Sequence, residues 1–150
     1  MLVLFGTVEG VTDSRYVPRN LSDQPAGFGH GESLIWKTSD VTVELTRIEA
    51  AKIQHFYSLR IRKRMVDKPM SAKQFASESG IRYDRLMKVL RGEMIMRLED
   101  IGAADLVLGE VSELAVEIAN RRRKVQADPT LTARAASSRG LGIAPPRVRG

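Results

Sequence analysis

Cysteine is missing from this chain, which rules out disulfides, thiol chemistry and cysteine-bound zinc. Histidine is scarce: His30 and His55 are the two present, and no His-x-x-x-His spacing joins them into a metal site. There is no Gly-x-Ser-x-Gly elbow, no Ser/His/Asp grouping and no phosphate loop. No enzyme activity, cofactor or metal is therefore expected. Aromatic residues make up 5% of the chain, so a core must be filled mainly by Leu, Ile, Val, Met and Ala. No apolar run approaches the roughly 20 residues that span a bilayer. Met1-Leu2-Val3-Leu4-Phe5 stops at Gly6 and lacks a basic flank, so neither a signal peptide nor an anchor is expected. The expected protein is soluble and cytoplasmic, with no membrane partner.

What is present is positive charge, unevenly placed. The formal net charge is +6. Residues 1–44 carry net −3, residues 45–124 net +6 and residues 125–150 net +3. A basic segment of this kind is the electrostatic footprint of a nucleic-acid binder, although acidic proteins and lipids also bind such surfaces.

The centre of that segment is Ser71 to Gly92, which reads as two short helices and a tight turn. Ser71-Ala72-Lys73-Gln74 has the capping-box form, with Met70 and Phe75 placed to staple the entry. Phe75 and Ala76 face inward, and Gly80 ends the first helix where a left-handed backbone is needed. Leu86, Val89 and Leu90 form the inner face of the second helix. Its other face carries Tyr83, Asp84, Met87, Lys88 and Arg91.

Ala76, Gly80, Ile81, Leu86 and Val89, followed by Gly92, Leu98, Ile101, Leu108 and Gly109, resemble in order and spacing the helix-turn-helix of lambda-repressor/Cro-like (XRE-type) DNA-binding domains. The resemblance covers roughly residues 46 to 110. It implies an all-α, five-helix domain that binds double-stranded DNA and regulates transcription, as a repressor on paired half-sites. The recognition helix, at about 82–91, would enter the major groove. By position, Tyr83, Asp84, Met87 and Lys88 are the base readers. Lys88 suits guanine O6/N7, Asp84 cytosine N4, and Met87 a thymine methyl. Ser71, Lys73, Arg82, Arg85 and Arg91 are placed for phosphate. The chain departs from the family at Ala72, where Gln is frequent, and at Arg82, a poor cap. A buried Arg–Glu pair common in the family is replaced by Met65 and Leu90, an apolar exchange that is physically coherent.

Around this unit the expected organisation is an irregular N-terminal arm (1–40), a helix-turn-helix domain (41–124) and a disordered basic tail (125–150). Leu2–Val8 and Leu34–Lys37 read as short strands. Gly27-Phe28-Gly29-His30-Gly31 reads as flexible linker, since no Gly-Lys-Ser/Thr follows it. The first helix is expected from near Thr46, or from as early as Asp40, to about Val66. Its apolar stripe is Ile53, Tyr57 and Ile61, with Phe56 and Met65 alongside. His55 reads as packing or surface. Arg60, Arg62, Lys63 and Arg64 crowd its end, one or two suited to phosphate and the rest solvated. A fourth helix is expected from about Leu98 to Leu108. A fifth, Val111 to Lys124, has an apolar face at Val111, Leu114, Ala115, Ile118 and Ala119 that either closes the core or makes a homodimer. Two other functions fit the same residues: an antitoxin-like or other protein-binding module of this fold, and a non-specific DNA-coating protein.

Overall fold

The structure, a computed structural model, describes residues 16–128 and 130. The possible strand at Leu2–Val8 and most of the basic tail lie outside the described residues. Among them the secondary structure is helical, with one isolated antiparallel bridge, Ser22 to Trp36. The elements are α1 (Thr42–Asp67), α2 (Ala72–Ser79), α3 (Tyr83–Leu90), α4 (Leu98–Val107) and α5 (Glu113–Ala127). The all-helical expectation holds. Two compact units divide after Ser112, the first holding α1 to α4 and the second α5.

α1 starts earlier than Thr46. The Ser39 hydroxyl accepts the Val41 N–H at 3.0 Å and bonds the Glu44 carboxylate, which organises the first turn. Thr46 lies inside the helix and donates its hydroxyl to the Thr42 carbonyl at 2.9 Å. The inward face also differs from the expected stripe. Ile53 and Phe56 are 57% and 46% exposed, whereas Ile48, Ala51, Gln54, His55, Ser58, Ile61 and Met65 are buried. Three polar residues occupy positions where hydrophobic periodicity looks for apolar ones, and each has a neighbour that justifies it or a cost that goes with it.

Gln54 is the clearest case. Its Nε2 donates to the carbonyls of Val89 (2.9 Å) and Met94 (2.8 Å), and its Oε1 accepts the Met96 N–H at 2.9 Å. One side chain of α1 thus satisfies the backbone where α3 gives way to the next loop. The main core lies beside it, built from Ile61, Met65, Phe75, Ala76, Leu86, Leu90, Ala104, Leu108 and Val111. Met65 and Leu90 both belong to this cluster.

The cations at the end of α1 have structural work. Arg64 donates to the Gly109 and Leu108 carbonyls at 2.9 and 3.2 Å, Lys68 to Val107 at 2.8 Å, and Arg60 to Glu110 at 3.4 Å. They satisfy carbonyls left open at the negative end of α4. Past Gly109, Asp105 accepts the N–H groups of Val111 and Ser112 at 2.9 and 2.7 Å. Val111 is fully buried in the first unit and precedes α5 rather than starting it. Within α5 no residue is buried, and Leu114 is 66% exposed.

The N-terminal arm departs most from expectation. From Tyr16 onward it makes defined contacts with the helices. Pro18–Leu21 and Pro25–Gly27 are single 3-10 turns, each started by a proline that presets its φ. Asp23 N–H to Ile35 O (2.9 Å) and Lys37 N–H to Leu21 O (2.9 Å) close the bridge at Leu34–Lys37, where a strand was expected. Arg19 N–H reaches the Gly92 carbonyl at 3.0 Å. The linker reading of Gly27 to Gly31 is overturned by Phe28, which is 1% exposed. Its ring meets those of His55 (5.2 Å) and Trp36 (6.3 Å) edge-on, and Trp36 meets His55 at 5.7 Å. Such pairs add about 0.5–1.5 kcal/mol each beyond burial.

His55 Nδ1 accepts the Gly29 N–H at 2.9 Å, which requires the neutral ring with its proton on Nε2. Burial lowers the His55 pKa from its ordinary 6.5, and a backbone hydrogen bond at Gly31 pulls it partly back up. The unfolded chain therefore binds a proton near pH 6.5 that the folded ring resists. Stability from this residue is fully present above pH 6.5 and is lost as pH falls through the window below it. Urea midpoints taken above and below pH 6.5 should drop on acidification, and His55→Phe should flatten much of that drop. An unchanged slope in the variant would assign the effect to other groups.

Candidate nucleic-acid interface

α2 and α3 are joined by Gly80, Ile81 and Arg82. Gly80 has φ +72°, the left-handed conformation expected of it, and a side chain there would meet nothing within 4 Å. Ser71 caps α2 by accepting the Gln74 N–H at 3.1 Å. The return half of the capping box is not made, because Gln74 Nε2 turns to Glu78 at 3.0 Å. Arg82 stands at the cap of α3 with no side-chain cap bond. Packing orients α3 firmly. Leu86, Val89 and Leu90 are 3%, 2% and 0% exposed, so the opposite face must point outward.

That outward face gathers most of the expected readers. Tyr83 is 44% exposed, and the Lys73 ammonium of α2 lies 5.8 Å from its ring centroid. Asp84 and Lys88 pair with each other at 3.1 Å, one turn apart. Both are well exposed, so the pair contributes little and can open for another partner. Met87 is half-buried beside them. Ser71, Lys73 and Arg82 are exposed.

Two expected phosphate ligands have partners within the protein. Arg85 Nη2 donates to Asp100 Oδ2 at 2.7 Å, and the two side chains are only 17% and 10% exposed. It bonds α3 to α4, so the charge of Arg85, expected at phosphate, is already matched within the protein. The same Asp100 oxygen accepts the Arg97 N–H at 2.8 Å and so also caps α4. Arg91 remains 44% exposed but lies 3.2 Å from Glu93, which Arg19 also holds at 3.1 Å. Asp100 in the first turn of α4 suits the positive end of that helix dipole, and its second partner, fifteen positions back, leaves no mark in the local sequence. Gln54 was missed altogether, since a lone glutamine on a helix carries no pattern.

Among the described residues no group of three or more His, Cys, Asp or Glu is arranged to hold a metal ion. None of the described helices is long and apolar enough to cross a membrane.

No family model, curated protein or solved structure matches this chain.

Proposed function

We propose that this chain is a sequence-specific DNA-binding regulator of transcription, of the lambda-repressor-like helix-turn-helix type, that reads the major groove with α3. The observation that carries this reading is the two-sidedness of α3. One face is sealed into the core and the other offers Tyr83, Asp84 and Lys88, with Met87 at their edge and Lys73 alongside. Support also comes from the left-handed Gly80 between two eight-residue helices, and from the excess of cations over residues 45–124.

The test is selection of bound fragments from sheared genomic DNA at about physiological salt. A single enriched motif, as an inverted repeat with half-sites about ten base pairs apart, is the expected result for a dimeric repressor. Retention without a motif would indicate a DNA-coating protein. Within an enriched motif, Lys88→Ala should relax preference at one or two base positions by about 1–3 kcal/mol. An unchanged preference would mean that α3 is oriented differently on the duplex.

A second reading, an antitoxin-like or other protein-binding module, draws on a different observation. An open apolar groove of about 230 Å³ runs along Ile53 and Tyr57 of α1, Ile95, and Leu98 and Ile101 of α4. Failure to retain any DNA, together with co-purification of a partner that protects this groove, would favour it.

A further inference from the structure

α4 buries one side and leaves the other bare. Ala104 and Leu108 are sealed in the core, and Asp100 is bonded to Arg85. On the opposite side Leu98 is 83% exposed and Leu106 87% exposed, with Gly102 open between them. Residues spaced four apart stack along one face of a helix, so the three form a single line. One exposed leucine is ordinary. Two in line with a glycine make a ridge with a notch at its middle.

Gly102 answers no need inside the protein. It lies within α4 in helical conformation, not left-handed like Gly80 or Gly109, and glycine is less stable there than alanine. A Cβ built on it would meet nothing within 4 Å. Among the described residues, then, nothing requires bare backbone at this point. On an outward face, bare backbone admits the close approach of another chain. Leu98 also borders the apolar groove of about 230 Å³, which continues past Ile101 to Ile53 and Tyr57 of α1 and to Ile95.

We propose that this face binds the same face of a second copy of the chain, with the two α4 helices antiparallel and crossing at Gly102. The spacing identifies the occupant. Leu98 and Leu106 lie equally far on either side of Gly102, so a two-fold axis at the glycine sets Leu98 of each copy level with Leu106 of the other. Rows of residues four apart interdigitate in the commonest class of helix pair. Each Leu106 then reaches the end of α4 at which the groove of the other copy opens. Charge follows the same symmetry. Glu99 is exposed near the start of α4, and Lys68 is exposed at its other end, on the Val107 carbonyl. Antiparallel pairing brings the acid of each copy toward the lysine of the other. A ridge shaped for an unrelated protein has no need of this symmetry.

The area sets the strength. Ridge and groove together offer roughly a dozen residues, about 400 Å² per copy at the usual contribution per residue, against about 800 Å² for a standard stable interface. The dimer is therefore weak, forming at roughly tens of micromolar. It does not rest on the DNA-binding reading, though weak pairing that tightens on two half-sites would serve a dimeric repressor.

Sedimentation equilibrium of the full-length chain from about 1 to 500 μM, spanning that range, is the test. The parent should pass from monomer to dimer with rising concentration. Gly102→Ala should have two effects of opposite sign. It should raise the melting temperature of the dilute monomer by removing a helical glycine, and weaken dimerisation about tenfold by filling the notch. A glycine needed by the fold would lower the melting temperature instead. Leu106→Lys should stay monomeric throughout and melt like the dilute parent. Because the chain has no cysteine, Gly102→Cys sets a single thiol on the axis, where it meets its own counterpart. Mild oxidation should link that variant into dimers faster than Leu114→Cys on α5. A chain monomeric at every concentration would overturn the proposal. So would a dimer untouched by Leu106→Lys and lost on Ile118→Lys, which would assign the contact to α5. A monomer that holds a different protein through Leu106 would give the face to that partner and sink the self-pairing. None of these readouts involves DNA, so failure of the dimer and failure of the DNA reading are seen separately.

Discussion

Gly29→Ala is expected to remove more than about 4 kcal/mol of stability, a large share of what a domain of this size holds. Gly29 has φ +74°, and a Cβ there would stand 2.2 Å from the Leu90 carbonyl oxygen and 3.3 Å from Ser58 Cβ. The first obstacle is backbone of α3 and cannot rotate aside. Either the arm lifts off, exposing Phe28 and Trp36, or α3 shifts against α1. Gly80→Ala is the matched control. Its φ of +72° gives similar backbone strain, but the space around it is empty, so the loss should stay near 1 kcal/mol. Thermal melts of the two variants give the comparison directly. Trp36 is the only tryptophan, so its emission should shift to the red in Gly29→Ala and not in Gly80→Ala. Two equal losses would mean that the arm is not clamped at Leu90.

Arg85→Met should cost about 3 kcal/mol in urea unfolding, because it leaves the Asp100 carboxylate in a largely buried place without its countercharge. The companion substitution Asp100→Asn should recover much of that loss in the double variant. The amide oxygen can still accept the Arg97 N–H that caps α4. A single variant as stable as the parent would show that α3 and α4 are held by apolar packing alone. Since Arg85 faces α4, its removal should leave base preference unchanged in any DNA the protein selects.

The helices around the turn were legible because their signals are local. Ser71 caps, Gly80 and Gly109 take left-handed backbone, and Leu86, Val89 and Leu90 recur at helical spacing, all within a few residues of what they control. The inner face of α1 was only partly legible. Ile61 and Met65 of the expected stripe are buried, but Ile53 and Phe56 face out, while Gln54 and His55 are buried for partners supplied by distant segments and Ser58 is buried with its hydroxyl unmatched. The arm was misread for the same reason. Gly27 to Gly31 has the composition of a linker, and only the rings of Trp36 and His55 turn it into core. At the candidate interface, sequence placed Tyr83, Asp84 and Lys88 on one face. It could not distinguish Arg85, held by Asp100, from a free cation.

The docking of the arm also has a consequence for synthesis. Arg19 and Glu93 are 74 positions apart, and the arm is made long before the end of α3 that receives it. At about 5–20 residues per second, a ribosome needs roughly 4–15 s to cover that distance. For most of that interval the nascent chain carries Phe28 and Trp36 with their final berth unfinished, an apolar pair open to chaperones or to another nascent chain. Slow translation between the arm and Gly92 would lengthen the exposure, and only completion of α3 ends it.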